Sequence, residues 1–96
     1  MSIKFEWDEK KAKSNLRKHR ITFEEATTVF GDSLARIFDD EIHSSELEQR
    51  EIIIGHSINN QLLLICFTER KEAIRIFSAR KTTKTERKEY EENTNF

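Results

Sequence analysis

The stretch from Ile74 to Tyr90, IRIFSARKTTKTERKEY, constrains the fold most, because its pattern changes from strand-like to helix-like near Arg80. Side chains alternate between the two faces of an extended strand. The predicted faces are Ile74, Ile76 and Ser78 on one side and Arg75, Phe77 and Ala79 on the other. A strand therefore passes almost directly into a helix, and the basic residues at the junction suit an anionic ligand such as phosphate.

The helix after this strand is predicted from its first turn. Thr83 and Glu86 have the spacing of a capping box, in which a hydroxyl and a carboxylate each accept a hydrogen bond from a free backbone N–H. Glu86, Arg87 and Tyr90 follow at spacings that let the three share one helix face. The helix is polar nearly all round, which is typical of weak docking unless another molecule covers it.

The composition is that of one small domain, which we expect to span residues 1–96. Hydrophobic residues make up 35% and charged residues 36%, so the core must be modest and the seven phenylalanines should supply much of it. No signal peptide is recognisable, and no apolar run approaches the ~20 residues that span a bilayer. The single cysteine, Cys66, excludes a disulfide framework and favours a reducing, cytoplasmic setting.

The net charge of −1 conceals a strong asymmetry. Residues 70–88 carry a net charge of +6, and the rest of the chain carries −7. A protein polarised in this way presents one face to an anion and another to a cation. Two solvated faces with no ligand would have the same charge counts, so this alternative stays open.

The first half of the chain reads as a strand and two helices. Ile3, Phe5 and Trp7 alternate with polar residues, as in a half-buried strand. Asp8 is placed to cap the first helix, in which Asn15 borders a narrow apolar stripe and is expected to hold a backbone group. A second capping box, Thr22 with Glu25, begins the next helix, and Gly31 is expected to end it in the left-handed conformation.

The second half reads as four strands and the final helix. A short strand is predicted at 34–38, followed by an acidic loop over 39–51. Ile52 begins a hairpin whose return strand covers 62–67, and Asn59-Asn60 suits the positive φ of its turn. A second reversal at 69–72 leads into the strand that begins at Ile74. The order is β-α-α-β-β-β-β-α, an α+β domain with helices packed on an antiparallel sheet.

Three segments of the chain resemble one family. They are F-x-W-D-x-x-K-A-x-x-N-x-x-K-H from Phe5 to His19, F-x-E-A from Phe23 to Ala26, and S-A-R-K-x-T-x-x-E-R-x-x-Y from Ser78 to Tyr90. In this order they resemble the BrnT family, toxins of type II toxin–antitoxin systems, from about Lys4 to Glu92. The family usually has glycine after the Lys-His pair, where this chain has Arg20. If that position requires positive φ, arginine there costs about 1 kcal/mol of strain.

The resemblance implies a RelE-like fold and a metal-independent ribonuclease that inhibits translation. It also implies a BrnA-like antitoxin that neutralises the toxin. Such antitoxins dimerise and bind operator DNA through a ribbon-helix-helix domain, so the toxin would reach DNA only through its partner. RNA is the implied substrate, and no contact with a membrane is expected.

Arginines are the predicted centre of the site, because the planar guanidinium binds two phosphate oxygens and stays protonated. Arg80 is the expected main phosphate clamp, with Arg70 from the preceding hairpin as the second. Glu72 is the expected general base, held against the substrate by neighbouring arginines. The expected substrate-binding residues are Arg87, Tyr90 and Arg75. The central expectation is that arginines from separate segments converge at one place on the rim of the sheet.

These roles have structural alternatives. Arg75 suits an ion pair across the sheet, Glu86 a helix cap, and Tyr90 an anchor that holds the last helix to the sheet. Each of the three histidines, His19, His43 and His56, has the chemistry of an acid or base, and none is assigned a role. No Asp, Glu and His cluster has persuasive metal-ligand spacing, so no metal or other cofactor is expected.

Two functions are therefore weighed. The first is a ribonuclease toxin. The second is a non-enzymatic module that binds its cognate partner and assists DNA binding by an autorepressor complex. A toxin that keeps the fold and the partner but has lost activity is a third, weaker reading. Cleavage of RNA by the isolated chain distinguishes the first from the others.

Overall fold

A computed structural model describes residues 3–94, and its elements follow the predicted order. The predicted domain 1–96 extends beyond these residues at both ends. The strands are β1 (Lys4–Glu6), β2 (Arg36–Asp39), β3 (Arg50–His56), β4 (Leu62–Arg70) and β5 (Ala73–Lys81). The helices are α1 (Glu9–His19), α2 (Phe23–Val29) and α3 (Lys84–Thr94).

The five strands form one sheet in the order β1-β5-β4-β3-β2. Within the run from β2 to β5, each strand pairs antiparallel with the next, as predicted. However, β1 pairs in parallel with the start of β5, so the sheet is mixed rather than wholly antiparallel. The alternation of side chains in β1 indicates its burial but contains no information about which strand it pairs with or in which direction. The α+β class is confirmed.

Helices cover both faces of the sheet. The larger core joins α1 and α2 to one face; its fully buried side chains include Ile21, Phe23, Leu63 and Phe67. The opposite face has a smaller cluster of Ile54, Leu62, Leu64 and Tyr90, where α3 packs. Because neighbouring residues of β4 point to opposite faces, one apolar run serves both layers.

The helix boundaries confirm some predicted caps and correct others. Asp8 caps α1 by accepting hydrogen bonds from the amides of Lys10 and Lys11. Thr22 Oγ1 accepts from the Glu25 amide, but the Glu25 carboxylate binds Ser57 and Gln61 instead of closing the predicted box. The Glu25 carboxylate reaches a neighbouring turn, where Ser57 and Gln61 offer it two donors in place of the single backbone N–H of the helix cap.

The prediction that Gly31 ends α2 in the left-handed conformation is wrong. Phe30 ends α2 in the right-handed conformation, and no described glycine has positive φ. Arg20 has φ 61° and ψ 27° at the end of α1, and its amide donates to the Leu16 carbonyl. The position that the family resemblance marks as glycine therefore does adopt the strained conformation. Asn60 also has positive φ, at 59°, in the predicted hairpin turn.

A bulge in β5 changes which side chains share a face. The register pairs Cys66 with Ser78 and Phe67 with Ile76, which leaves Phe77 as an extra residue. A bulge reverses the alternation beyond it. Ala79 therefore joins Ile76 in the larger core, while Ser78 lies on the opposite face. The strictly alternating faces predicted for this strand are wrong after Phe77.

Candidate functional site

Arg80 and Glu86 form a two-point ion pair between the end of β5 and the first turn of α3. The Arg80 Nη1 and Nη2 atoms donate to Oε1 and Oε2 of Glu86, at 2.8 and 2.9 Å. Glu86 also accepts from the Thr83 amide at 2.8 Å, and Thr83 Oγ1 accepts from the Glu86 amide, so this capping box is complete. Hydrogen bonds from Arg80 lower the pKa of Glu86 to about 2, and Glu86 raises the pKa of Arg80.

Arg70 and Glu72 lie at the other end of the β4–β5 hairpin from Arg80. Arg70 pairs in register with Ala73, whereas Arg80 pairs with Leu64. Arg70 lies six residue steps along β4 from Leu64, a distance of roughly 20 Å. Arg70 binds Glu48 at 3.1 Å. Glu72 is exposed in the turn, and within residues 3–94 no hydrogen bond or ion pair involves its side chain.

The three predicted substrate-binding residues each have a partner within the chain. Arg75 pairs with Glu6 of the parallel neighbour β1 at 2.9 Å. Arg87 lies 3.8 Å from Glu91 one turn along α3. Tyr90 is 6% exposed, and its hydroxyl donates to the Leu34 carbonyl at 3.2 Å. The structural alternatives stated for Arg75 and Tyr90 are therefore observed.

The predicted convergence of Arg70, Arg80 and Arg87 is wrong. The nine-residue strands β4 and β5 place Arg70 at one end of their hairpin and Arg80 at the other, next to α3, which carries Arg87. Each guanidinium is also paired with a carboxylate. Contact with a substrate stays a prediction for all six predicted site residues, Arg70, Glu72, Arg75, Arg80, Arg87 and Tyr90.

The structure does bring together a different set of side chains around Phe77. The Arg50 Cζ lies 3.9 Å from the centroid of the Phe77 ring, and the Lys11 Nζ lies 5.2 Å from it. Both contacts have the geometry of cation–π interactions. A hollow of about 220 Å³ surrounds them, lined by Lys11, Asp40, His43, Arg50, Cys66, Phe77 and Ser78. We call this the Phe77 hollow.

A second hollow shares the ring and extends the positive charge along α1. It is lined by Lys11, Ser14, Asn15, Lys18, His19, Phe77 and Ser78. Since β1 pairs only with residues 73–75 of β5, Phe77 and Ser78 lie beyond the end of β1, where α1 passes. Together the two hollows form a continuous surface with three cationic side chains, two imidazoles and an aromatic ring.

Arg50 keeps donors available at this surface. Its Nε donates to Glu48 at 3.0 Å, and its terminal nitrogens have no hydrogen-bond partner among the described residues. Glu48 also binds Arg70, and the two arginines together lower the pKa of Glu48. One carboxylate thus holds Arg50 against Phe77 while leaving the fork of its guanidinium open.

Sequence analysis missed Lys11, Arg50 and Phe77 as a site. Lys11 lies in a lysine-rich helix that reads as a solvated face, and Arg50 lies within a segment predicted to be an acidic loop. Only the β5 bulge directs Phe77 and Ser78 into the same hollow. No local pattern in the sequence signals that bulge.

An apolar groove lies between α3 and the sheet. Its lining includes Phe38, Ile52, Ile54, Leu64 and Tyr90. Nearby, Leu34, Ile37 and Phe38 are each about half exposed on or beside β2, which is the edge strand. The described part of the chain has no cluster of three histidine, cysteine or acidic side chains placed to hold a metal ion. No helix within residues 3–94 is long and apolar enough to span a bilayer.

Residues 7–86 match the sequence profile of a family described as the ribonuclease toxin, BrnT, of type II toxin–antitoxin systems. The chain belongs to the BrnT family. Membership implies an antitoxin partner. The predicted family is confirmed, and with it the class of ribonuclease toxins.

The fold also resembles that of a solved BrnT structure. The crystal structure of the Brucella abortus ribonuclease toxin, BrnT, superposes with a TM-score of 0.65 at 21% sequence identity. The match covers 86% of this chain and 100% of the Brucella chain. At this identity the likeness establishes the fold. No curated protein matches this chain.

Proposed function

We propose that this BrnT-family chain is an endoribonuclease that cleaves RNA without a metal ion and thereby inhibits translation. The observation that carries the proposal is the pair of cations on Phe77, with Arg50 at 3.9 Å and Lys11 at 5.2 Å from the ring centroid. Unpaired bases stack on aromatic rings and arginine planes, while the backbone follows positive charge. The Phe77 hollow offers an arginine plane for stacking and positive charge for the backbone.

The chemistry needs little beyond what RNA and this surface contain. The 2′-hydroxyl of RNA attacks the adjacent phosphorus, the bond from phosphorus to the 5′-oxygen breaks, and a 2′,3′-cyclic phosphate remains. The protein must orient the hydroxyl and neutralise the charge that develops on the phosphate oxygens. The open guanidinium fork of Arg50 and the ammonium of Lys11 supply that charge without a metal ion.

Arg80 is retained in this proposal as a second phosphate contact at the rim of the hollow. On one face of a strand, positions two apart lie roughly 7 Å from each other, so Arg80 is one step beyond Ser78. Its Nε has no hydrogen-bond partner among the described residues, because Glu86 and the Lys81 carbonyl occupy the terminal nitrogens. The guanidinium is held rigidly, which favours a defined phosphate geometry.

The other predicted residues have weaker support. Arg70 is linked to the hollow through Glu48, which binds both Arg70 and Arg50. Glu72 lies in the β4–β5 turn, and its predicted role as general base remains a prediction. Arg75, Arg87 and Tyr90 likewise remain predicted substrate contacts, each with a partner inside the chain.

The partner proposed for this toxin is a BrnA-like antitoxin with a ribbon-helix-helix domain, through which the complex would bind operator DNA. The groove beneath α3 and the half-exposed Ile37 and Phe38 on the edge strand β2 are surfaces that such a partner would cover. Amide exchange in residues 82–92 with and without antitoxin tests this. Unchanged protection of α3 would count against docking there.

The non-enzymatic alternative rests on the pairing of Arg70, Arg75 and Arg80 with carboxylates, which lowers the charge open to RNA. The experiment is to purify the chain free of partner and incubate it with RNA in EDTA. We expect products that end in a 2′,3′-cyclic phosphate. Intact RNA under all conditions would favour the partner-binding module, and cleavage that disappears in EDTA would overturn the metal-free mechanism.

A matched pair of lysines on α1 locates the site. Lys11→Ala removes a cation from the hollow, whereas Lys13→Ala makes the same charge change at an exposed position that lines neither hollow. We expect Lys11→Ala to slow cleavage by about tenfold or more, the loss of one charge-assisted contact. Lys13→Ala should stay close to the unmodified chain. Equal effects of the two would mean that net charge rather than this surface matters.

A further inference from the structure

His43 and Asp40 form a close pair at the mouth of the Phe77 hollow. The His43 Nδ1 lies 2.8 Å from the Asp40 Oδ2. The Asp40 side chain is 6% exposed and the His43 side chain is 62% exposed. A buried carboxylate thus holds one nitrogen of an imidazole whose other nitrogen is open to a substrate.

The turn that carries this pair is anchored to the sheet. The Asp40 amide donates to the Arg50 carbonyl at 2.8 Å. The Ser44 hydroxyl donates to the Asp40 carbonyl at 2.7 Å and accepts from the Arg50 amide at 2.9 Å. Arg50 is the residue that stacks on Phe77. The pair and the proposed phosphate contact are therefore held by one hydrogen-bonded unit.

The partner of Nδ1 determines the tautomer of His43. An ionised carboxylate only accepts hydrogen bonds, so Nδ1 must carry the proton. In the neutral imidazole the Nε2 atom is then left with a lone pair and can accept a proton. Asp40 also stabilises the imidazolium that forms when Nε2 does so. This is the arrangement of a general base with an orienting carboxylate.

We propose that His43 is the general base of RNA cleavage, positioned by Asp40, an inference that rests on the proposed ribonuclease function. His43 Nε2 takes the proton of the 2′-hydroxyl as the bond from the 2′-oxygen to phosphorus forms. The bond from phosphorus to the 5′-oxygen breaks, and the 5′-oxygen takes a proton from water. The imidazolium then returns its proton to the resulting hydroxide, so no other reactant is needed. His43 thus takes the role predicted for Glu72.

The groups that face His43 suit this role. Lys11 of α1, Arg50 of β3 and Cys66 of β4 line the same hollow, together with Asp40 itself. The two cations attract the phosphodiester, and Asp40 orients the imidazole. Apart from Asp40, the lining contains no acidic residue that would repel the substrate.

The other histidines have different surroundings. His56 Nδ1 lies 3.7 Å from Asp32, beyond hydrogen-bond range, and the His56 ring packs edge-on against Tyr90. His56 lines neither hollow. His19 lines the second hollow, but no carboxylate orients it among the described residues. His56 is therefore a control for the loss of an imidazole near an aspartate.

The test compares the full chain, free of antitoxin, with His43→Gln, Asp40→Asn and His56→Gln. Cleavage of RNA is measured in EDTA from pH 5 to 9. We expect the rate of the unmodified chain to rise with pH through one titration and then level off. His43→Gln should be slower by about a hundredfold or more and lose this rise. Asp40→Asn should be slower by about tenfold to a hundredfold, because the neutral amide no longer fixes the tautomer of the imidazole or stabilises the imidazolium. His56→Gln should keep both rate and profile.

An NMR measurement separates positioning from general structural damage. The nitrogen shifts of His43 should report a proton on Nδ1 in the unmodified chain and a changed tautomer distribution in Asp40→Asn. Thermal unfolding identifies any variant that fails to fold; His43→Gln is expected to fold because the side chain is exposed.

The outcomes separate the two proposals. If the unmodified chain leaves RNA intact, the ribonuclease function is overturned and the role of His43 falls with it. If the unmodified chain cleaves RNA and folded His43→Gln keeps its rate and pH profile, the role of His43 alone is overturned. If His43→Gln loses the rise of the cleavage rate with pH and His56→Gln keeps it, the role of His43 as general base is supported.

Discussion

The side chain of Asn15 hydrogen-bonds to both backbone groups of Ala79, donating to its carbonyl at 2.8 Å and accepting from its amide at 3.0 Å. A third bond runs from Asn15 to the Ile21 carbonyl at 3.0 Å. These contacts replace a missing sheet neighbour along β5 beyond the end of β1. They also fix α1 beside the bulge, which places Lys11 against Phe77.

Asn15→Ala should therefore destabilise the fold. Asn15 is 6% exposed, and its removal leaves buried backbone groups of Ala79 and Ile21 without partners. We expect a loss of about 3 kcal/mol in the free energy of unfolding, since each unsatisfied buried group costs roughly 1–3 kcal/mol. Urea denaturation measures this. Lys13→Ala on the same helix is the control, and equal stability of the two variants would contradict the role assigned to Asn15.

Arg20→Gly should stabilise the chain. Arg20 has φ 61°, a conformation that costs a residue with a side chain about 1 kcal/mol and glycine almost nothing. Part of this gain is lost because glycine has more freedom in the unfolded chain. We expect a net gain of about 0.5 kcal/mol in the free energy of unfolding. Lys18→Gly, within the right-handed helix, should instead destabilise by about 1 kcal/mol.

The Arg80–Glu86 pair predicts a dependence of stability on pH. The Glu86 pKa falls from its ordinary value of 4.5 to about 2 on folding. A carboxylate with a lowered pKa stabilises the fold above pH 4.5, and this stabilisation is lost as pH falls towards 2. After allowance for solvent screening it amounts to about 1 kcal/mol. Glu86→Gln should therefore be less stable than the unmodified chain at pH 7 and nearly equal to it near pH 2. A difference independent of pH would contradict the pairing.

Gly55 supplies space rather than conformational freedom. A Cβ at this position would lie 2.8 Å from the Ala35 Cβ and 3.1 Å from a Val29 methyl group. Gly55→Ala should lower the free energy of unfolding by about 1–3 kcal/mol, the usual cost of overpacking. Gly31→Ala is the comparison, because its nearest neighbour would be a carbonyl oxygen at 3.4 Å. A larger effect at Gly31 would contradict this packing.

Phe77→Leu should weaken RNA binding while leaving the sheet intact. Leucine retains apolar bulk but removes the ring that holds the Arg50 guanidinium plane, on which a base would stack with a contribution of about 1–3 kcal/mol per base. We expect affinity for single-stranded RNA to fall by about tenfold in a fluorescence titration. Phe38→Leu, on the edge strand outside both hollows, should leave affinity unchanged. Equal RNA affinities of Phe77→Leu and Phe38→Leu would show that Phe77 is not part of the RNA-binding surface.

Local chemistry in the sequence was sufficient for most boundaries. Three features depend on residues a few positions apart: the Asp8 cap, the Thr83–Glu86 cap and the Asn60 turn. The backbone role of Asn15 was indicated by the position of a polar residue beside an apolar stripe. The strained Arg20 was anticipated only through the family resemblance. Such features are predictable because they depend on short-range spacing and backbone sterics.

The site was not predictable in the same way. The Arg70–Arg80 convergence failed because strand length, which sequence pattern indicates only loosely, separates the two ends of the β4–β5 hairpin. The Asp40–His43 pair is three residues apart in sequence, but only the burial of Asp40 distinguishes it from other acidic residues in that loop.

The sequence by itself determined the elements, their order, the residues that cap the start of each helix and the family, because propensity, periodicity and motif are properties of the chain. Only the tertiary structure decided the parallel pairing of β1, the bulge at Phe77 and the partner of each arginine. These depend on pairing register and on contacts between residues as far apart as Lys11 and Phe77, and no local energy term specifies either.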